Sequence, residues 1–142
     1  MTTSTRRGAI GRVGNIALWG LQIVLAGFFL MSALGKFGNA EPAASTFAAI
    51  GWGGWFRNLT GALEVAGAVA LLVPRLAGAA GLAFVGLTAC AALVEAFVSG
   101  GGVFLPLTVL VLCAVVAWGR RDGTARLWAA VSGRRDGRRD GR

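Results

Sequence analysis

The sequence predicts an all-α integral membrane protein, an antiparallel four-helix bundle with both termini cytoplasmic. Three observations predict it. Of the 142 residues, 56% are hydrophobic and 14% charged, against roughly 45–50% and 25% in an ordinary soluble domain. Mean hydropathy is +0.69, more apolar content than a soluble core of this length can hide. The apolar residues fall into four stretches, each near the ~17–25 residues that a helix needs to cross a bilayer core. Strands would show alternating polarity, which is missing. Because backbone polar groups in lipid must be satisfied internally, helices are the remaining solution.

The first stretch runs from about 15 to 36, the second from about 57 to 73, the third from about 76 to 98 and the fourth from about 103 to 119. The first apolar run is longer than the h-region of a secretory leader and three more follow it, so a retained helix is expected. Val73-Pro74-Arg75 ends the second helix and leaves almost no loop, so helices two and three form a tight hairpin. Ser99-Gly100-Gly101-Gly102 makes a flexible turn, and Pro106 lies in the first turn of the fourth helix, where proline is tolerated. The long connection between helices one and two, Phe37 to Phe56, holds a short amphipathic helix from about Glu41-Pro42 to Ala49, with Phe47 and Ile50 on one side. An aromatic segment with Trp52, Trp55 and Phe56 follows, suited to a membrane interface.

Orientation follows from the arginines. The formal net charge is +8. Residues 1–14, a basic N-terminal segment, carry +3; residues 120–142 carry +5; the body, residues 15–119, sums to zero. Arg6, Arg7, Arg12, Arg75 and the arginines from Arg120 onward lie on one side, which the positive-inside bias assigns to the cytoplasm. Trp19 and Trp118 then fall near the inner interface, and Trp52 and Trp55 near the outer one. Residues 120–142 repeat Arg-Arg-Asp-Gly at Arg120, Arg134 and Arg138, and their glycine and like charge predict a largely disordered tail. Such a tail suits anionic lipid at about 1 kcal/mol per arginine, and no nucleic-acid partner is expected. Arginine in place of lysine and the Ala/Gly/Val bias fit a GC-rich bacterial genome, so the expected location of these spans is a bacterial plasma membrane.

Charges inside spans are expensive and therefore informative. Four belong to the outer half: Lys36 at the end of helix one, Arg57 at the start of helix two, Glu64 within helix two and Glu95 near the end of helix three. Helical spacing puts Arg57, Gly61, Glu64 and Ala68 on one face, Thr88 on the face of Glu95, and Gln22 and Ser32 on the face of Lys36. Two acids and two bases on three helices are thus expected to neutralise one another, with Gln22, Ser32 and Thr88 as lesser members. Two readings of this cluster stand side by side. One is an outward-opening polar pocket for a small ligand, a quinone head group or a proton; the other is an ion-pair network that fixes helix register.

Histidine and tyrosine are absent and Lys36 is the sole lysine, so imidazole catalysis and histidine metal sites are excluded, and no metal site is expected. Cys90 and Cys113 lack CxxC spacing and read as small apolar packing residues. No phosphate loop or serine triad is present.

The segments Leu30-Met31-Ser32-Ala33-Leu34-Gly35-Lys36-Phe37 and Leu59-Thr60-Gly61-Ala62-Leu63-Glu64-Val65-Ala66-Gly67, the latter followed by Leu71-Leu72-Val73-Pro74-Arg75, resemble the DoxX-like family of small four-helix bacterial membrane proteins. The likeness covers about residues 15–119, and Lys36 and Glu64 are the positions that match its motifs. The family takes its name from a membrane subunit of a thiosulfate:quinone oxidoreductase. The resemblance therefore implies a multi-pass membrane subunit or partner of a redox system, with quinone as the small molecule and a soluble oxidoreductase as the partner. It implies no cofactor bound by this chain alone, and no reaction is assigned. A small transporter or channel and a non-catalytic membrane scaffold are the rival readings; four-helix exporters carry their acid in the first helix, which has none here.

Overall fold

The computed structural model describes the backbone of residues 3–136 and the side chains of residues 11–133. The side chains of Arg6 and Arg7 and the last arginine repeat, at Arg138, lie outside the described residues. Among the described residues there is no strand. Six α-helices follow one another: α1 (Thr3–Phe37), α2 (Ala43–Ile50), α3 (Gly54–Leu72), α4 (Ala77–Val94), α5 (Phe104–Gly119) and α6 (Arg121–Asp136). A π-helical turn, Glu95–Ser99, continues α4.

The predicted helices are present with shifted ends. α1 starts well before residue 15, because no proline interrupts Thr3–Phe37 and each glycine there costs a helix only about 1 kcal/mol. The short helix in the long connection is α2; Glu41 accepts hydrogen bonds from the backbone N–H of Ser45 at 3.2 Å and from its hydroxyl at 2.6 Å, satisfying an orphan donor of the first turn. Gly51 closes α2 in the left-handed conformation. The tail departs from expectation: residues 121–136 are helical rather than disordered. Ala125-Arg126-Leu127-Trp128-Ala129-Ala130 is a run of good to moderate helix formers, and Asp122 sits in the first turn, where a carboxylate is favourable. α6 leaves α5 at 65°.

Two helical segments are long and apolar enough to cross a membrane, Gly11–Phe37 and Ala77–Ser99, and the bent α5–α6 pair is a third candidate. α3 spans 19 residues but carries Arg57, Asn58 and Glu64, and α5 has only 16 residues.

α1 packs along α3 and against α5; α4 packs along α5 and against α3. The core they share is Leu25, Ala26 and Phe29 of α1, Ala68 and Leu71 of α3, Ala80 and Phe84 of α4, and Val109, Cys113 and Val116 of α5. Phe29 and Phe84 stack face to face with centroids 3.6 Å apart, tying α1 to α4 across the middle. Gly67 on α3 makes room for that Phe84 ring, which a side chain there would strike. Gly81 lets two backbones meet: a Cβ at this position would lie 2.9 Å from the Ala117 nitrogen and 3.1 Å from the Cys113 carbonyl oxygen of α5. Small residues at such crossings replace the hydrophobic drive that lipid removes.

Backbone cannot yield as a side chain can, so Gly81→Leu is expected to separate α4 from α5 at a cost of about 1–3 kcal/mol or more. Gly86, on the same helix with open space at its Cβ position, is the control. Thermal unfolding in detergent should show a clear loss of stability for Gly81→Leu and none for Gly86→Ala; equal behaviour would contradict the close α4–α5 contact.

Candidate functional site

The polar groups of the core separate into two ends of the molecule. At one end α1 brings Ser32 and Lys36, one turn apart, against Glu64 of α3. Lys36 Nζ donates to both carboxylate oxygens of Glu64 at 2.9 Å and to Ser32 Oγ at 2.7 Å. Ser32 in turn donates to Glu64 Oε1 at 3.3 Å. The Lys36 side chain is 12% exposed and that of Glu64 6%, so the ammonium has spent its three protons on internal acceptors. This is the one ion pair among the described residues. Gly61, one turn from Glu64, receives Phe37 and the Lys36 stem at close quarters, which is what lets α1 and α3 approach here.

Above the pair lies a cavity of about 370 Å³, within the ~300–1,000 Å³ of small-molecule sites. Its floor is Ser32, Lys36 and Glu64; α2 roofs it with Thr46, Phe47 and Ile50; α3 adds Phe56 and Thr60; α4 and its π-turn add Leu87, Cys90 and Glu95. The wall is mostly apolar; Ser32, Lys36 and Glu64 converge at the floor, and Glu41, Thr46, Thr60 and Glu95 add polar groups around it. A π-turn beside such a cavity is a recurrent feature of functional sites; here it turns Glu95 toward the cavity and against Gly101, where a side chain would collide with the carboxylate.

The expected mutual neutralisation of four charges is corrected. Lys36 and Glu64 pair; Glu95 shares their cavity without an ion-pair partner; Arg57 stands apart. Arg57 Nη1 donates to Asn39 Oδ1, which ties the first turn of α3 to the connection after α1. Its place two turns from Glu64, roughly 10 Å along the axis at 1.5 Å per residue, puts the amide within easier reach than either acid. Ser32 belongs to the cluster as expected. Gln22 and Thr88 do not. Thr88 turns its hydroxyl back onto the Phe84 carbonyl at 2.7 Å, a local helix contact. Gln22 lies four turns of α1 from Lys36, at the other end of the molecule.

That end holds a network that sequence reasoning missed. Gln22 is fully buried; its amide donates to the Leu71 carbonyl at the end of α3 and its oxygen accepts from Arg120 Nε at 2.8 Å. Arg120 also donates to Asn15 Oδ1 at 2.8 Å and lies 5.8 Å from the Trp19 ring centroid. Arg121 stands 4.6 Å from the centroid of Trp118. The signal was a lone Gln in an apolar helix, whose partner, Arg120, reads in isolation as one more lipid-facing arginine.

Cys113 is buried in the core, as a packing cysteine should be, whereas Cys90 is exposed; both are free. No group of histidine, cysteine or acid side chains able to hold a metal exists among the described residues.

A family model described as DoxX-like matches residues 20–118. The chain belongs to the DoxX-like family. The matched span contains α3, α4 and nearly all of α5, as well as Lys36, Glu64 and every residue of the cavity named above. It leaves out the start of α1 and all of α6. No curated protein and no solved structure matches the chain.

Removing one member of a buried pair strands the other, at a cost of about 3–5 kcal/mol, while replacing both is far milder. Lys36→Met alone should therefore destabilise this DoxX-like protein more than Lys36→Met with Glu64→Gln. Unfolding of the wild type, both single variants and the double variant in detergent gives the coupling directly. Additive effects would contradict a charged, interdependent pair.

Proposed function

We propose that the protein is a four-span DoxX-like subunit of the bacterial plasma membrane, with both termini cytoplasmic, that holds a quinone head group above Lys36 and Glu64 and serves a redox partner. The observation that carries the reading is the cavity itself: apolar walls, about 370 Å³, and one converging cluster of donors and a carboxylate at its floor. A quinone ring is flat and apolar with two carbonyl acceptors. Lys36 can meet one by giving up one of its two bonds to Glu64, which keeps the other. Two electrons and two protons turn a quinone into its quinol; in this reading a soluble oxidoreductase supplies the electrons and the adjoining water the protons.

Four spans in an antiparallel bundle are supported by the packing of α1, α3, α4 and α5 about one core and by the internal pairing of Glu64, the one acid deep within α3. The orientation is supported by charge. Arg75, Arg120, Arg121 and Arg126 gather at the Gln22–Leu71 end, whereas outside the ion pair the Lys36 end holds Arg57 against Glu41 and Glu95. The positive-inside bias makes the former cytoplasmic. α6, with its arginines, then lies where anionic lipid is found.

Two outcomes check this reading. A reporter fused after Arg142 is expected to give a cytoplasmic signal, and an extracytoplasmic one overturns the orientation. In mild detergent, a tail-less, fully ring-substituted benzoquinone should bind saturably by equilibrium dialysis. The folded Lys36→Met/Glu64→Gln double variant should bind it at least tenfold more weakly, about 1.4 kcal/mol. Absence of saturable binding to the wild type would sink the quinone reading.

A further inference from the structure

A second cavity lies outside the site just described. It is a groove of about 600 Å³ along the outer side of the α3–α4 pair. α3 lines it with Leu63, Ala66 and Ala70; α4 lines it with Ala79, Ala83 and Gly86. The two helices are held together at the Val73–Leu76 turn and at the Gly67–Phe84 contact, while their small side chains leave the surface between them hollow. Ala66, Ala83 and Gly86 are exposed, so in a membrane this hollow opens sideways into lipid. It carries no charged residue.

The groove adjoins the polar cavity. Leu87 and Cys90 line both. From that shared rim, one side leads to Lys36 and Glu64 and the other runs along the apolar groove toward the Ala70–Ala79 end. A hollow with a buried ion pair at its floor, separated by Leu87 and Cys90 from an uncharged, lipid-facing groove, matches the two parts of one kind of molecule: a compact polar head on a long hydrocarbon tail.

We infer that the α3–α4 groove is the seat of the tail of the head-bound ligand and its lateral entry from the bilayer, so that the ligand is a long-tailed amphiphile rather than a water-soluble molecule. This rests on the head-group reading of the Lys36–Glu64 cavity. Burial of apolar tail against Ala66, Ala83, Leu87 and Cys90 replaces tail–lipid contacts by tail–protein contacts of the same polarity. Its benefit is therefore positional: a tethered tail holds the head at the floor of the cavity, and Cys90 marks the rim that the tail must cross.

Cys90 also supplies the test. It is the exposed thiol and Cys113 the buried one, so a maleimide should label Cys90 selectively in the folded protein. Two fully ring-substituted benzoquinones serve as probes, one tail-less and one with a decyl tail; full substitution prevents addition of the thiol to the ring. The decyl form is expected to slow Cys90 labelling at least fivefold beyond the tail-less form at equal head-group occupancy. Ala83→Leu and, separately, Ala66→Leu fill the groove from opposite walls; each is expected to weaken decyl-quinone binding tenfold or more while leaving tail-less binding within twofold. Tail-less binding with no tail-dependent protection and no selective loss in either variant overturns the inference and leaves the head-group reading intact. Failure of both quinones to bind the wild type overturns the two together.

Discussion

The contact between Lys36 and Glu64 is the constraint on which the rest of the molecule depends. A carboxylate on a helix surrounded by lipid costs about 2.5–3.5 kcal/mol or more when left alone. α3 carries such a carboxylate in its middle, with only 6% of the side chain exposed. The last turn of α1 supplies the single lysine of the chain and a serine one turn earlier, and these satisfy it. Because the three groups satisfy one another, α1 and α3 have one register. The face of α1 that follows from that register presents Phe29 to Phe84 and Gln22 to the Leu71 carbonyl. The pair and the Gln22–Arg120 network thus pin α1 at both ends, with a stacked aromatic pair between them.

The same contact creates the cavity. An ion pair at the end of a packed core cannot be covered by more apolar side chains without loss of its polar surroundings. The chain instead leaves α1 at Gly38, turns through Asn39 and places α2 as a roof. Glu41, on the cavity wall, caps the roof helix, and Arg57, outside the cavity, fastens the connection to α3, so each has a mechanical task. Glu95 is the exception. It faces the cavity from the π-turn and forms no ion pair among the described residues, a second carboxylate on the cavity wall.

Much of this was legible in the sequence, for identifiable reasons. The helices were legible because four apolar runs separated by proline, glycine and arginine admit one kind of secondary structure in lipid. Lys36, Ser32 and Glu64 were legible because polar residues in apolar helices must find partners, and their spacing placed them at similar depth. Gln22 and Thr88 fall outside the cluster for two different reasons: a shared helix face says nothing of depth, and Gln22 is 14 positions from Lys36, whereas Thr88 spends its hydroxyl on the Phe84 carbonyl of its own helix. Formal charge points Arg57 toward an acid, whereas the nearer amide of Asn39 takes its guanidinium. The helicity of α6 was hidden by three glycine-bearing arginine repeats, whose average composition outweighed the local Ala125–Val131 run. The roof formed by α2 and the groove between α3 and α4 depend on tertiary placement, and no local pattern encodes either.

The central claim is that the Lys36–Glu64 pair is the floor of a binding site and not a sealed structural clamp. Infrared difference spectroscopy of the detergent-solubilised protein, with and without a fully ring-substituted quinone, addresses it at the level of the bond. If Lys36 releases one carboxylate oxygen to meet the head group, the carboxylate stretch of Glu64 shifts on binding, and the shift disappears in Glu64→Gln. A difference spectrum in which the Glu64 carboxylate is silent while quinone is bound would contradict the account.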